Sequence, residues 1–151
     1  MTRGSRANHA AKVTEGALKA ILAATGIEFD YQVVIGRTIY EKKWRVDFVL
    51  KNLADFPKGL VLESKWQDRR GSVEEKFPFL VRNIKERSPL PAIVVLHGGG
   101  HSAGAVRFLT NAIGGNFVAV YHLEAFISWI MRAARSETRR DDQSEYCPLG
   151  F

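Results

Sequence analysis

Apolar positions along the chain change their spacing several times, and each change marks an element. Ala11, Leu18, Ile21 and Leu22 recur at helical spacing between Asn8, a candidate cap, and Gly26. Residues 29–35 are rich in β-branched and aromatic side chains, and residues 44–50 alternate apolar with polar. Residues 59–66 follow a turn built on Phe56-Pro57-Lys58-Gly59, so these three stretches predict a strand meander. Ser72 and Glu75 have the spacing of a capping box for a helix over 73–85, which Pro78 should kink or shorten. Residues 92–96 form an unbroken apolar run, as in a strand covered on both faces. After a glycine-rich loop come a short helix over 103–113, a strand over 116–121 and a helix over 123–134. In that helix Phe126, Trp129 and Ile130 share one side, the pattern of a core face.

The expected fold is therefore α/β, a mixed central sheet of about five strands flanked by helices. Residues 1–135 read as a single domain, with 1–7 loose and 136–151 a flexible tail of low periodicity.

Composition narrows the class. At 151 residues, 46% hydrophobic and 25% charged, the chain is ordinary for a globular domain and long enough for its own core. Its single cysteine, Cys147, excludes an internal disulfide framework. The least charged stretch, 89–106, is interrupted by His97, three glycines and His101, whereas a membrane span needs about 20 mainly apolar residues. Lys19 interrupts the apolar run that a secretion signal would need, so a cytoplasmic location and no membrane partner are expected. The net charge of +6 favours a polyanionic partner, most often nucleic acid.

The chemistry concentrates in two strands, 44–50 and 59–66. Strand alternation sends Glu63, Lys65 and Gln67 to one face and Leu60, Leu62 and Ser64 to the other. If the strand bearing Asp47 pairs with this one, its carboxylate comes close to that of Glu63. Two such carboxylates repel unless a cation lies between them, and oxygen ligands suit Mg²⁺ or Mn²⁺. An ion held there can polarise a phosphodiester, while Lys65 positions the attacking water or contacts the phosphate. Glu15 lies three and seven residues before Leu18 and Leu22, which puts a carboxylate on the inward face of the first helix.

Asp47 followed by Glu63-Ser64-Lys65 in a hairpin, after a helix bearing Glu15, resembles the PD-(D/E)XK nuclease superfamily, the restriction-endonuclease-like fold. The resemblance covers roughly residues 14–96. It departs from the motif at its first letter, where Val46 stands in place of proline. It implies that Asp47, Glu63 and Glu15 bind a divalent ion and that Lys65 assists the water. Gln67 and Lys76 correspond to supporting positions in some members, and Arg69 and Arg70 are placed to meet a nucleic-acid backbone.

The implied function is a Mg²⁺-dependent DNA endonuclease, acting as a small homodimer on both strands or as a structure-selective enzyme such as a junction resolvase. The alternative is a catalytically silent nucleic-acid-binding module of the same fold. A third string, His97-Gly98-Gly99-Gly100-His101-Ser102-Ala103-Gly104, matches both an esterase oxyanion loop and a G-x-S-x-G elbow. Those two features follow different strands in an α/β-hydrolase, but here they are contiguous. No acid separates Ser102 from His122, the next histidine, so a triad cannot be completed in the required order.

Overall fold

The computed structural model describes residues 3–67 and 71–145, with side-chain surroundings for 12–67 and 71–135. Arg69 and Arg70 lie outside the described residues. In chain order the elements are α1 (Arg3–Thr25), β1 (Phe29–Arg37), β2 (Lys43–Leu50), β3 (Leu60–Trp66), a 3₁₀ turn (Ser72–Lys76), α2 (Phe77–Arg87), β4 (Ala92–His97), α3 (Ala103–Ala112), β5 (Phe117–His122) and α4 (Leu123–Glu145). The sheet runs β1-β2-β3-β4-β5. Its first three strands are antiparallel, and β4 and β5 join β3 in parallel through the crossover helices α2 and α3. This is the mixed five-stranded α/β architecture that the apolar pattern predicts.

Each sheet face carries its own core. Trp44, Val46, Val49, Val61, Val94 and Leu96 pack with Phe77, Leu80 and Ile84 of α2 and Leu109 of α3. Phe48, Leu50, Leu60, Leu62, Ile93 and Val95 pack with Leu18 and Leu22 of α1 and Phe126 and Ile130 of α4. The unbroken apolar run of β4 follows directly, since its alternate residues feed both cores. Phe126 is fully buried, and Trp129 stacks on Tyr121 with ring centroids 5.5 Å apart.

Local expectations change at four points. α1 begins at Arg3, ahead of Asn8, and α4 continues to Glu145, where the sequence reads as loose chain. A helix can continue without a sustained apolar stripe, so loss of periodicity is not loss of helix. The single helix expected over 73–85 is divided: Pro78 sits in the first turn of α2, where its missing N–H costs no bond, and a 3₁₀ turn precedes it. The Ser72 capping box does not form, because no side chain caps that turn.

The apparent alternation of β2 is also cut in two. Trp44 and Val46 face α2 and α3, whereas Phe48 and Leu50 face α1 and α4. On β1, Val33 and Ile35 pack against the first core, while Phe29 packs into the second and the Tyr31 ring lies tilted against Phe48. Strand geometry would keep residues i and i+2 on one face. The reversal falls on Gln32 and Asp47, which lie between the matched pairs Tyr31–Phe48 and Val33–Val46, and Gln32 has φ +52°.

Candidate active site

The site opens where β2 and β3 part. Their ladder runs from Leu50–Leu60 to Phe48–Leu62. At the next position, the backbone N–H of Asp47 donates to Glu63 Oε1 at 2.9 Å, and that of Ser64 donates to Asp47 Oδ2 at 2.8 Å. Each carboxylate thus takes an amide of the opposite strand. Buried N–H groups need acceptors, and the splayed strands here find them in side chains.

Burial makes the pair electrostatically costly. Glu63 is 5% exposed, and burial first, then the Asp47 charge, pushes its carboxyl up to about 7 against the lowering pull of Lys65. Burial likewise raises Asp47, opposed by its bond from Ser64 and by Lys65. Lys65 Nζ lies 3.7 Å from Glu63 Oε2, with its side chain 30% exposed. A carboxylate pair, Glu63 buried and Asp47 half-buried, therefore occupies the end of the splayed strands with the Lys65 ammonium beside it.

The donor set fits a divalent cation. Glu63 Oε2 lies 3.7 Å from Lys65 Nζ, and Asp47 Oδ1 meets the Gln32 amide at 3.5 Å, the outer limit of a hydrogen bond. Two hard oxygen donors are thus loosely held, and a cation between them would remove the repulsion that raises both carboxyls. Among the described residues no third His, Cys, Asp or Glu joins them as a three-ligand group. Glu15, half-buried on α1, instead accepts a hydrogen bond from the Tyr31 hydroxyl, although its charge is felt at Asp47.

The other predicted positions separate. Gln67 is buried, and its Nε2 donates to Gly100 O at 2.8 Å. Its backbone N–H donates to His97 O, and its carbonyl accepts from Gly100 N–H. Gln67 therefore clamps the glycine-rich loop to the end of β3. Lys76 is exposed at the N-terminal boundary of α2. Thr14 Oγ1 and His97 Nδ1 are 2.9 Å apart, so the end of β4 anchors α1 one residue before Glu15.

Ser102 caps α3: its Oγ accepts from Ala105 N–H at 3.1 Å and lies 3.1 Å from Glu74 Oε1, to which it donates. Glu74 Oε2 accepts the Ser102 backbone N–H at 3.1 Å. The hydroxyl is committed to a cap and a carboxylate, which removes the nucleophile-elbow reading.

Tyr31, Gln32, Thr14 and Glu74 were not singled out by sequence. Only their neighbours in the chain carried a signal, because the contacts that matter cross between elements.

A family model for PD-(D/E)XK nuclease superfamily domains matches residues 6–134. The chain belongs to this superfamily, and the match spans the parted strands β2 and β3. Neither the curated proteins nor the solved structures provide a significant match. Among the described residues no helix is long and apolar enough to cross a membrane.

Proposed function

We propose that the protein is a divalent-metal-dependent endonuclease that hydrolyses DNA phosphodiester bonds with an activated water. The observation that carries this reading is the reciprocal seating of Asp47 and Glu63 with Lys65 Nζ 3.7 Å from the latter. Neither a structural sheet nor a passive binding surface requires a buried and a half-buried carboxylate side by side at a strand opening, since burying unpaired charge is costly.

Asp47 and Glu63 would hold Mg²⁺ or Mn²⁺, with Glu15 as an additional negative group nearby. A bound ion supplies Lewis-acid stabilisation of the phosphate and a lower pKa for water. Lys65 meets the water or a non-bridging phosphate oxygen, where its charge offsets what develops in the transition state. The two amide bonds hold the carboxylates in place, so little reorganisation is needed when substrate arrives. The net charge of +6 draws a polyanion to the protein. Arg69 and Arg70, which follow Gln67 and Asp68 in sequence, are assigned to backbone phosphates. A homodimer would place two such sites on opposite strands of a duplex.

The test is cleavage of labelled supercoiled, linear, single-stranded and four-way-junction DNA in Mg²⁺, Mn²⁺ or EDTA. Metal-dependent cutting that is lost in Asp47→Asn, Glu63→Gln and Lys65→Met supports the assignment, and the preferred substrate defines the subtype. Folded wild type that retards DNA but cuts nothing under any metal supports the binding-module alternative.

A further inference from the structure

Glu15 is the least constrained of the candidate acidic groups by its own helix. A glutamate on a half-exposed helix face samples several rotamers, and holding it in one costs roughly 1–2 kcal/mol of side-chain entropy. The structure supplies an external constraint. Tyr31, on the edge strand β1, donates its hydroxyl to Glu15 Oε2. Lys19, one turn beyond Glu15 on α1, places Nζ 3.3 Å from the centroid of the same ring. Behind the ring stands Phe48, with centroids 5.3 Å apart. An aromatic ring braced on two sides thus presents its hydroxyl to one carboxylate.

The next residue serves the other side of the site. Gln32 Nε2 lies 3.5 Å from Asp47 Oδ1, and the Gln32 carbonyl accepts from Arg45 at 3.0 Å. Its φ of +52° is the left-handed region, which costs a non-glycine residue about 1–2 kcal/mol. That conformation coincides with the reversal of strand faces at Gln32 and Asp47. It lets two consecutive residues of β1 reach carboxylates on two different elements, Glu15 on α1 and Asp47 on β2.

We propose that Tyr31 is a positioning residue for the candidate cation site, fixing Glu15 near Asp47 through its hydroxyl, with Gln32 steadying Asp47 from the adjacent position. This rests on the metal-dependent reading above. Partners of this kind orient ligand groups without touching the ion, and their removal weakens metal affinity. Tyr31 acts through Glu15, whose charge contributes to the field at the site from beyond the Asp47–Glu63 pair. Loss of the hydroxyl frees that charge while the ring, its tilted contact with Phe48 and its contact with Lys19 remain.

Mn²⁺ titration by calorimetry, without nucleic acid, tests this on wild type, Tyr31→Phe, Glu15→Gln and the double variant. Expected are a roughly tenfold weaker Mn²⁺ affinity in each single variant and a double variant no worse than the weaker single one. Non-additivity is the signature of one residue acting through the other. Gln32→Asn provides an independent arm, because asparagine tolerates left-handed φ but its amide is one methylene shorter. It should weaken Mn²⁺ binding without lowering the melting temperature. Wild-type affinity in Tyr31→Phe, or penalties that add in the double variant, would overturn the role of Tyr31 while leaving the metal site intact. Wild-type protein that binds no Mn²⁺, or Glu63→Gln protein that binds it as wild type does, would remove the metal reading itself and this inference with it.

Discussion

Asp47 and Glu63 are joined through backbone as well as through charge: the Asp47 N–H donates to Glu63 Oε1 at 2.9 Å, in place of the ladder bond that the parted strands no longer make. The carboxylate of Glu63 therefore has two separable duties, an acceptor for β2 and a charge for the site. Glu63→Gln keeps an amide oxygen for the first and removes the second. It should fold, gain on the order of 1–3 kcal/mol at pH 8 by removing a buried charge, and lose at least about 100-fold in cleavage rate. Glu63→Ala removes both duties, leaves the Asp47 N–H without its acceptor, and should be less stable than Glu63→Gln by about 1–3 kcal/mol. Chemical denaturation of the two variants side by side checks the ordering, and the reverse order would show that the bond carries no weight.

The raised carboxyls make the metal-free protein sensitive to pH in a definite direction. Burial lifts Glu63 from its ordinary 4.5 to about 7, so the folded chain keeps a proton that the unfolded chain has already released between those values. Stability is then fullest below pH 4.5 and declines as pH rises through about 7, by roughly 3 kcal/mol from this group. Asp47, also raised by burial, acts in the same direction. Divalent metal reverses the sign: binding displaces the proton, so affinity should climb with pH and level off above about 7. Melting curves of wild type minus Glu63→Gln, from pH 4 to 9 with EDTA or Mg²⁺, isolate the contribution. A difference that stays flat across this range would refute it.

Lys65 lowers Glu63 and Asp47 by its charge, 3.7 Å from Glu63 Oε2. Lys65→Met should therefore push both carboxyls higher and move the alkaline-going limb of the cleavage profile to higher pH, in addition to reducing the maximal rate by about 100-fold or more. Binding of DNA should weaken far less than the rate, because one phosphate contact among several is lost. A single-turnover rate and a binding isotherm for the same variant separate the two. Equal loss in both would make Lys65 a binding residue alone.

Much of this arrangement is legible in the chain because it depends on local pattern. The apolar run of β4 requires two covered faces, and Glu63-Ser64-Lys65 alternates across β3 as any strand must. The pairing of Asp47 with Glu63 follows once 44–50 and 59–66 are recognised as consecutive antiparallel strands. What pattern cannot express is the reversal at Gln32 and Asp47. Trp44, Val46, Phe48 and Leu50 stand at alternate positions in sequence, yet they divide between two cores where a left-handed residue sits on the neighbouring strand. Glu15 reads as an inward helix residue, but its partner Tyr31 is set by how α1 lies over the edge strand, which is a tertiary choice. Gln67 reads as a site residue from its place beside Lys65; its amide is turned to Gly100 because the glycine loop needs a donor there.

In the string 97–104 the reaction class and the fold give different outcomes. Ser102 Oγ receives the Ala105 N–H and donates to Glu74, so its work is to cap α3 and tie that helix to the 3₁₀ turn before α2. Ser102→Ala should cost about 1 kcal/mol, a fall in melting temperature of roughly 2–4 °C for a chain of this size. Metal-dependent DNA cleavage at 25 °C should remain within about twofold of wild type, since Asp47, Glu63 and Lys65 keep their surroundings. Ser102→Asp, which restores an acceptor at the cap, brings a second carboxylate against Glu74 and should fail to recover the lost stability, whereas Ser102→Asp combined with Glu74→Gln should recover it. Thermal melts of the three proteins, with nuclease and ester hydrolysis measured in parallel, decide the matter. Ester turnover in wild type that disappears in Ser102→Ala and ignores EDTA would return the serine to a catalytic role.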